Sequence, residues 1–280
     1  IAPVTKYTVS VGCDDGGSVA INGNSGMSVT LDEGSTVTVI ATPDEDCDFI
    51  GWFVNDASVS TDAEYTFTVT DDVVLVARFA EYSYSSDGEI GGYEYVDLGL
   101  SVKWATCNVG ASAPEEYGGY YAWGETEEKE NYDWSTYKWC NGSYKTMTKY
   151  CTSSSYGTVD NKTVLDPQDD VAHVKWGGTW RMPTFDEQEE LLSKCTWTWT
   201  TQNGVNGMEV TGPNGNSIFL PAAGYCLGSS FDSVGSYGCY WSSTPFEDQE
   251  DFAFFFYIYS EYHGWDWYNR YYGRSVRPVS

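Results

Sequence analysis

Few residues in this chain are of types that do chemistry. The two histidines are His173, in DDVAHVKW, and His263, in SEYHGWDW. Nucleophilic catalysis needs a Ser or Cys served by a His, with a carboxylate behind it. No such set is identifiable, and G-x-S-x-G does not occur. His173 reads as a packed or solvated structural residue. Carboxylates are abundant in ETEEKE at 125–130 and EDQED at 247–251, but such runs read as solvated loops. Nothing singles out two of them as a glycosidase pair. The 8 cysteines show no C-x-x-C spacing, so zinc is not indicated. Their even number permits disulfides. Cys13 and Cys47, the only two in the first 81 residues, form either a local pair or two buried thiols. No phosphate loop, redox motif or calcium-binding loop is present. The sequence therefore assigns no catalytic residue, metal ligand or cofactor, and the expectation is a protein that is not an enzyme.

Aromatic residues carry the stronger signal. Tyr240 to Gly273 holds 15 Phe, Tyr and Trp in 34 residues, whereas the whole chain is 17% aromatic. Read as a strand, Ala253–Tyr259 puts Phe254, Phe256 and Ile258 on one face and Phe255, Tyr257 and Tyr259 on the other. The first set is assigned to the core and the second to the outside. In the stretch that follows, Trp265 and Trp267 are expected to point inward, with Asp266 and Tyr268 outward. Tyr offers a large rigid contact area with a polar tip, so an outward run of Tyr, Asp, His and Asn suits a binding surface. The competing reading is that these rings fill a loop-rich core short of aliphatics.

The elements that must hold this run are mostly strands. Period-two alternation marks YTVSV at 7–11, STVTVIA at 35–41, YTFTVT at 65–70 and VVLVARF at 73–79, with Trp52 as a core plug. Together they predict a small all-β domain over residues 1–81. The polar, Gly- and Ser-rich residues 82–92 read as a linker. The only convincing helix follows RMPTFDEQEELLSK, where Thr184 and Glu187 form a capping box and Leu191 and Leu192 face the core. A shorter helical turn is expected over Asp169–Lys175, stopped by Gly177-Gly178.

Composition narrows the partners. With 14 Lys and Arg against 41 Asp and Glu, the net charge of −27 opposes nucleic acid and anionic membranes, which need a basic face. Repulsion between copies predicts a monomer. No apolar run reaches the ~18–20 residues of a membrane span. The chain opens at Ile1-Ala2-Pro3 without a signal peptide, so it reads as a trimmed mature start.

Two resemblances follow from longer strings. The order GGSV, EGSTVTVIATPDEDCDFIGWFVNDASVSTDAEYTFTVT, then DDVVLVARF, over residues 5–80, resembles the divergent InlB B-repeat family. That resemblance implies a presentation module of a bacterial surface protein. YVDLGLSVKWATCNVGASAPEEYGGYYAWGET, DDVAHVKWGGTWRMPTFDEQEELL, SIFLPAAGY and the closing GCYWSSTP…RYYGRSVRPV are similar to the Fibrobacter succinogenes major paralogous domain over 93–280. This implies an α+β chain whose second domain is a C-type-lectin-like, mixed α/β ligand-binding domain. Its calcium-dependent sugar triplets are absent, which disfavours a calcium-bridged sugar site. A distant kinship to formylglycine-generating enzymes would draw on Cys226 and Cys239.

The ending also resembles the variable region of diversity-generating retroelement target proteins, in which asparagine codons are rewritten. The resulting alphabet fits Phe246, Asp248, Asp251, Phe252, Phe255, Tyr257, Tyr259, Tyr262, His263, Gly264, Asp266, Tyr268, Asn269, Tyr271 and Tyr272. Trp265, Trp267, Glu247 and Glu261 cannot arise that way and would be scaffold, with Trp241, Arg274 and Arg277 as a frame whose arginines pair with carboxylates. The implied protein is secreted or surface-anchored, from a Bacteroidota-type bacterium or its phage, and binds a protein or glycan on another cell. A structural or pilus-tip subunit binding a sister protein remains the alternative, with a carbohydrate-active or formylglycine-generating-like enzyme behind it.

Overall fold

The computed structural model describes residues 4–23, 27–44, 47–81 and 86–280. The chain divides into two compact units, residues 1–84 and 85–280.

In the first unit, β1 (Lys6–Cys13), β2 (Gly17–Ile21), β3 (Ser28–Asp32), β4 (Thr36–Pro43), β5 (Cys47–Val54), β6 (Ala57–Ser60), β7 (Glu64–Thr68) and β8 (Val73–Glu81) form two sheets. One has the order β3-β1-β8-β5-β6 and the other β2-β4-β7. Alternation does the work: Val9, Val11, Val37, Val39, Leu75 and Ala77 point inward and are buried. Trp52 is fully buried among them, with its indole N–H directed at the Ala63 carbonyl at 3.4 Å. Cys13 is a free thiol directed at the Gly17 carbonyl, so the local pair with Cys47 is not made.

In the second unit, residues read above as linker already belong to a hairpin. β9 (Gly88–Ile90) and β10 (Tyr93–Val96) turn at Gly91 and Gly92, both at positive φ, where glycine carries no steric cost. Then come β11 (Trp104–Ala105), α1 (Val171–Trp176), α2 (Phe185–Lys194), β12 (Thr196–Gln202), β13 (Val205–Thr211), β14 (Ser217–Pro221), β15 (Tyr225–Leu227), β16 (Ser230–Asp232), β17 (Tyr237–Pro245), β18 (Phe252–Tyr259) and β19 (Tyr262–Asn269). The expected mixed α/β, C-type-lectin-like domain is not what forms. Among the described residues, helices of six and ten residues accompany strands in four small antiparallel sheets. The physical reason lies in the sequence: an apolar 3.6-residue period is sustained only across α2, while Tyr, Trp, Thr and Val elsewhere favour extended chain.

α2 begins as its sequence dictates. Thr184 accepts from the Glu187 amide, and the Glu187 carboxylate accepts from the Thr184 amide, completing the capping box. Leu191 is fully buried beneath it. Asp170 caps α1 by accepting from the Ala172 and His173 amides.

Between β11 and α1 the chain makes little regular structure, and its aromatics replace the missing ladder bonds. Tyr137 donates to the Trp123 carbonyl at 2.9 Å and Trp139 to Gly124 at 2.7 Å. Trp123 and Trp241 donate across the core to the Ser242 and Tyr121 carbonyls, each at 2.9 Å. Many of the chain's rings therefore do fill a loop-rich core and satisfy its carbonyls, so the aromatic excess is partly structural.

Candidate functional site

The aromatic run forms the antiparallel sheet β17-β18-β19, with β18 in the centre and β19 on the edge. Tyr240 pairs with Phe256 and Phe256 with Trp265; Trp241 pairs with Phe255 and Phe255 with Asp266. The pleat separates these sets onto opposite faces.

The first face is the inner one. Phe256 and Ile258 are fully buried together with Tyr240, Leu191, Met208 and Leu220. Phe254 is half-buried and stacks on Phe185, the first residue of α2, at 4.2 Å. The tryptophans of β19 depart from expectation. Trp265 is 42% exposed and stands edge-on to Phe185, while Trp267 is half-buried and stacks on Phe246 at 4.6 Å. They form an outer fringe to this face because an edge strand lies beyond the full cover of the helix. His263 stacks on Trp197 at 4.6 Å, and burial lowers its pKa. Beside Phe246, a hollow of about 490 Å3 is lined by Phe185, Phe254, Glu247 and Asp248.

The second face is buried at one end and open at the other. At the buried end Trp241 is inaccessible and Phe255 is only 3% exposed, so Phe255 is covered although the alternation places it on the predicted side. At the open end Tyr237, Tyr257, Tyr259 and Tyr262 form one tyrosine patch. Tyr257 and Tyr259 lie nearly parallel with centroids 6.2 Å apart, Tyr237 stacks on Tyr257 at 5.8 Å, and Tyr262 reaches Tyr259 at 6.0 Å. Tyr259, Tyr262 and Tyr268 are exposed and Tyr257 is half-buried. Between the two ends lies a cleft of about 390 Å3, lined by Tyr225, Ser233, Tyr237, Cys239, Phe255, Asp266, Tyr268, Tyr272 and Arg274.

The residues assigned from sequence are thus dispersed. Tyr257, Tyr259, Tyr262, Asp266 and Tyr268 share the open face, and Gly264 lies opposite Tyr257 in the register. Phe246 and His263 belong to the inner face, and Asp248 is exposed in the β17–β18 connection. Phe252, Asn269 and Tyr271 are partly buried. Asp251 is buried, which raises its carboxyl pKa, and Tyr272 is 9% exposed. Tyr225, Ser233 and Tyr237 line the cleft but were not assigned from sequence. The signal for Tyr237 was its place at the start of an alternating strand; Tyr225 and Ser233 carried none.

The arginine frame differs from the expected carboxylate pairs. Arg277 is fully buried and donates to Asn108 Oδ1 at 2.9 Å and to the carbonyls of Ala105, Thr106 and Phe219 at 3.0, 2.6 and 2.9 Å. Its partners are neutral: an amide oxygen and three backbone carbonyls, two of them from β11 and β14. Burial lowers the pKa of both Arg274 and Arg277.

Burial raises the Cys226 thiol to about 12 and the Cys239 thiol to about 11, which suppresses the thiolate both would need as nucleophiles. Among the described residues, no group of three or more His, Cys, Asp and Glu is placed to hold a metal.

Residues 7–83 match a family model described as the divergent InlB B-repeat domain. Residues 184–279 match one described as a domain of unknown function (DUF8237), so the sheet β17-β18-β19 lies inside that match. No curated protein and no solved structure matches the chain. InlB B-repeat domains occur in surface proteins, and this module points to a surface or adhesion-type protein. Among the described residues, no helix is long and apolar enough to cross a membrane.

Proposed function

We propose that this is a non-catalytic ligand-binding protein of a bacterial surface, and that it binds through the open face of β17-β18-β19. The observation that carries the reading is the tyrosine patch of half-buried Tyr237 and Tyr257 with exposed Tyr259 and Tyr262, on the same face as exposed Tyr268, of a sheet whose other face is anchored in the core. Amphipathic rings on a rigid strand lose little conformational entropy on binding, which is why such patches serve recognition. The InlB-like module supports surface presentation. The high thiol pKa values of Cys226 and Cys239 weigh against the formylglycine-generating alternative.

We further propose that the exposed part of the face is diversified by retroelement mutagenesis. The residue alphabet supports this, and burial narrows where it can act. Tyr259, Tyr262, Asp266 and Tyr268 can change without disturbing the core, whereas Phe255, Asp251 and Tyr272 cannot. The partner is a protein or glycan on another cell.

The test is binding of the full chain to a panel of bacterial and host cells, read by flow cytometry. Tyr259, Tyr262 and Tyr268 replaced together by alanine should abolish binding with the melting temperature nearly unchanged. Undiminished binding would move the site elsewhere. A second reading, a structural subunit joined to a sister protein, draws on β19 being an edge strand able to accept another strand. It predicts co-purification with a sister subunit and no cell binding.

A further inference from the structure

Three arginines near the end of the chain are buried, and they are not equivalent. Arg277 spends its donors on four acceptors. Arg270 donates through Nε to the Phe252 carbonyl at 3.0 Å and through Nη1 to the Tyr150 carbonyl at 2.9 Å, and its Nη2 has no partner. Arg274, 3% exposed, has no hydrogen-bond partner at Nε or Nη1. Aromatic rings hold it instead: its guanidinium carbon lies 3.4 Å from the Phe255 centroid, 4.4 Å from Trp241, and 5.7 Å from both Tyr268 and Tyr272. Ring faces offset part of the charge but accept none of its N–H bonds. A buried guanidinium with unused donors is costly unless something supplies acceptors.

The same side chain lines the 390 Å3 cleft under the tyrosine patch. Its other lining groups define what fits. Tyr225, Tyr237, Tyr268 and Tyr272 supply flat apolar faces with hydroxyl tips, Ser233 adds a hydroxyl, and exposed Asp266 adds an acceptor. A plain carboxylate would meet Arg274 but be repelled by Asp266. A neutral sugar would leave Arg274 unmatched. A group with one carboxylate and several hydroxyls satisfies both.

We infer that this cleft is a binding site for an acidic sugar, a hexuronic or sialic acid, whose carboxylate pairs with the Arg274 guanidinium and whose hydroxyls bond Asp266 and the tyrosine tips. This deepens the proposed binding face and rests on it: Arg274 sets the charge requirement at the cleft floor, while the exposed tyrosines at the rim contact whatever carries the sugar. Of the cleft's polar groups, Arg274 lies outside the segment 246–272 and would persist, whereas Asp266 and Tyr268 lie within it, so the acidic-sugar site belongs to the sequence in hand and its hydroxyl contacts would differ in a variant changed there.

The experiment titrates the full-length, 15N-labelled chain with glucuronate, N-acetylneuraminate, the neutral methyl ester of glucuronic acid, and acetate. The Arg274 Nε–H resonance is followed alongside the Kd. The expected result is that at least one acidic sugar shifts that resonance and binds tenfold or more tightly than the methyl ester, with acetate weaker still. Arg274→Gln should remove this binding. Asp266→Ala, at an exposed position, should weaken the acidic sugar several-fold without weakening acetate. Because Arg274→Gln also removes the packing of its aromatic cage, the wild-type resonance and Asp266→Ala decide independently of it. Equal binding of acid and ester, or no shift with either acid at tens of millimolar, overturns the inference. If neither acid binds but the alanine triple variant still loses cell binding, the face stands and only the acidic-sugar assignment falls. If the triple variant keeps cell binding while glucuronate shifts Arg274, the cleft stands without the wider face.

Discussion

Replacing Phe256 with alanine and, in a separate variant, Tyr262 with alanine tests the sidedness on which the binding face depends. Phe256 is fully buried, stacks on Tyr240 at 4.7 Å and stands edge-on to Trp197 at 6.1 Å. Removing such a ring costs about 3–5 kcal/mol in lost transfer energy and cavity formation. For a unit of this size each kcal/mol lowers Tm by about 2–4 °C, so a fall of about 6–20 °C is expected. Tyr262 is 54% exposed, and its ring neighbours are Tyr257 at 6.2 Å, Tyr259 at 6.0 Å and His263 at 6.2 Å. Its loss should stay within about 0.5 kcal/mol, a shift of ~2 °C or less. Differential scanning calorimetry of the full chain reads both, following the transition that Phe256→Ala moves. Comparable losses in the two variants would mean that both faces of the sheet are core, and the reasoning would fail.

Three other perturbations follow from particular contacts. Arg277→Met strands the acceptors Asn108, Ala105, Thr106 and Phe219 and should cost on the order of 3–5 kcal/mol in denaturant unfolding; a loss under about 1 kcal/mol would show that the guanidinium is dispensable. Cys226 and Cys239, held at about 12 and 11 by burial, should resist iodoacetamide at pH 8 until denaturant is added, and rapid labelling of the native chain would contradict their placement. Lys149 and Lys162 beside Asp166 hold its carboxyl below the usual range. A lowered folded-state pKa stabilises above the ordinary value of ~4 and is lost as pH falls through the folded one. Asp166→Asn should therefore be less stable than wild type at pH 7, and the gap should close toward pH 3; a gap that widens in acid would refute the assignment.

Much of the first unit was legible because alternation there is strict: Val9 and Val11, Val37 and Val39, and Leu75 and Ala77 repeat every second residue and are all buried. The capping box at Thr184 and the stop at Gly177 were legible for a similar reason, since they depend on local hydrogen bonding and backbone freedom. What could not be read was how strongly each face would be covered. Phe255 alternates to the predicted side yet is buried, because Arg274 and Trp241 close over one end of that face. Trp265 alternates to the inner face yet is 42% exposed, because β19 is an edge strand. Both outcomes depend on neighbours distant in sequence. The fold class was misread through likeness: the small antiparallel sheets follow from the chain's Tyr, Trp and Thr content, which was already in view.

Sequencing residues 246–272 of the gene across many isolates of its source population tests the central claim most directly. The account predicts substitutions at Tyr257, Tyr259, Tyr262, Asp266 and Tyr268, at adenines of asparagine-type codons, with Phe256, Ile258, Trp265, Trp267 and Arg274 unchanged. An invariant segment, or substitutions falling equally on Phe256 and Ile258, would contradict it.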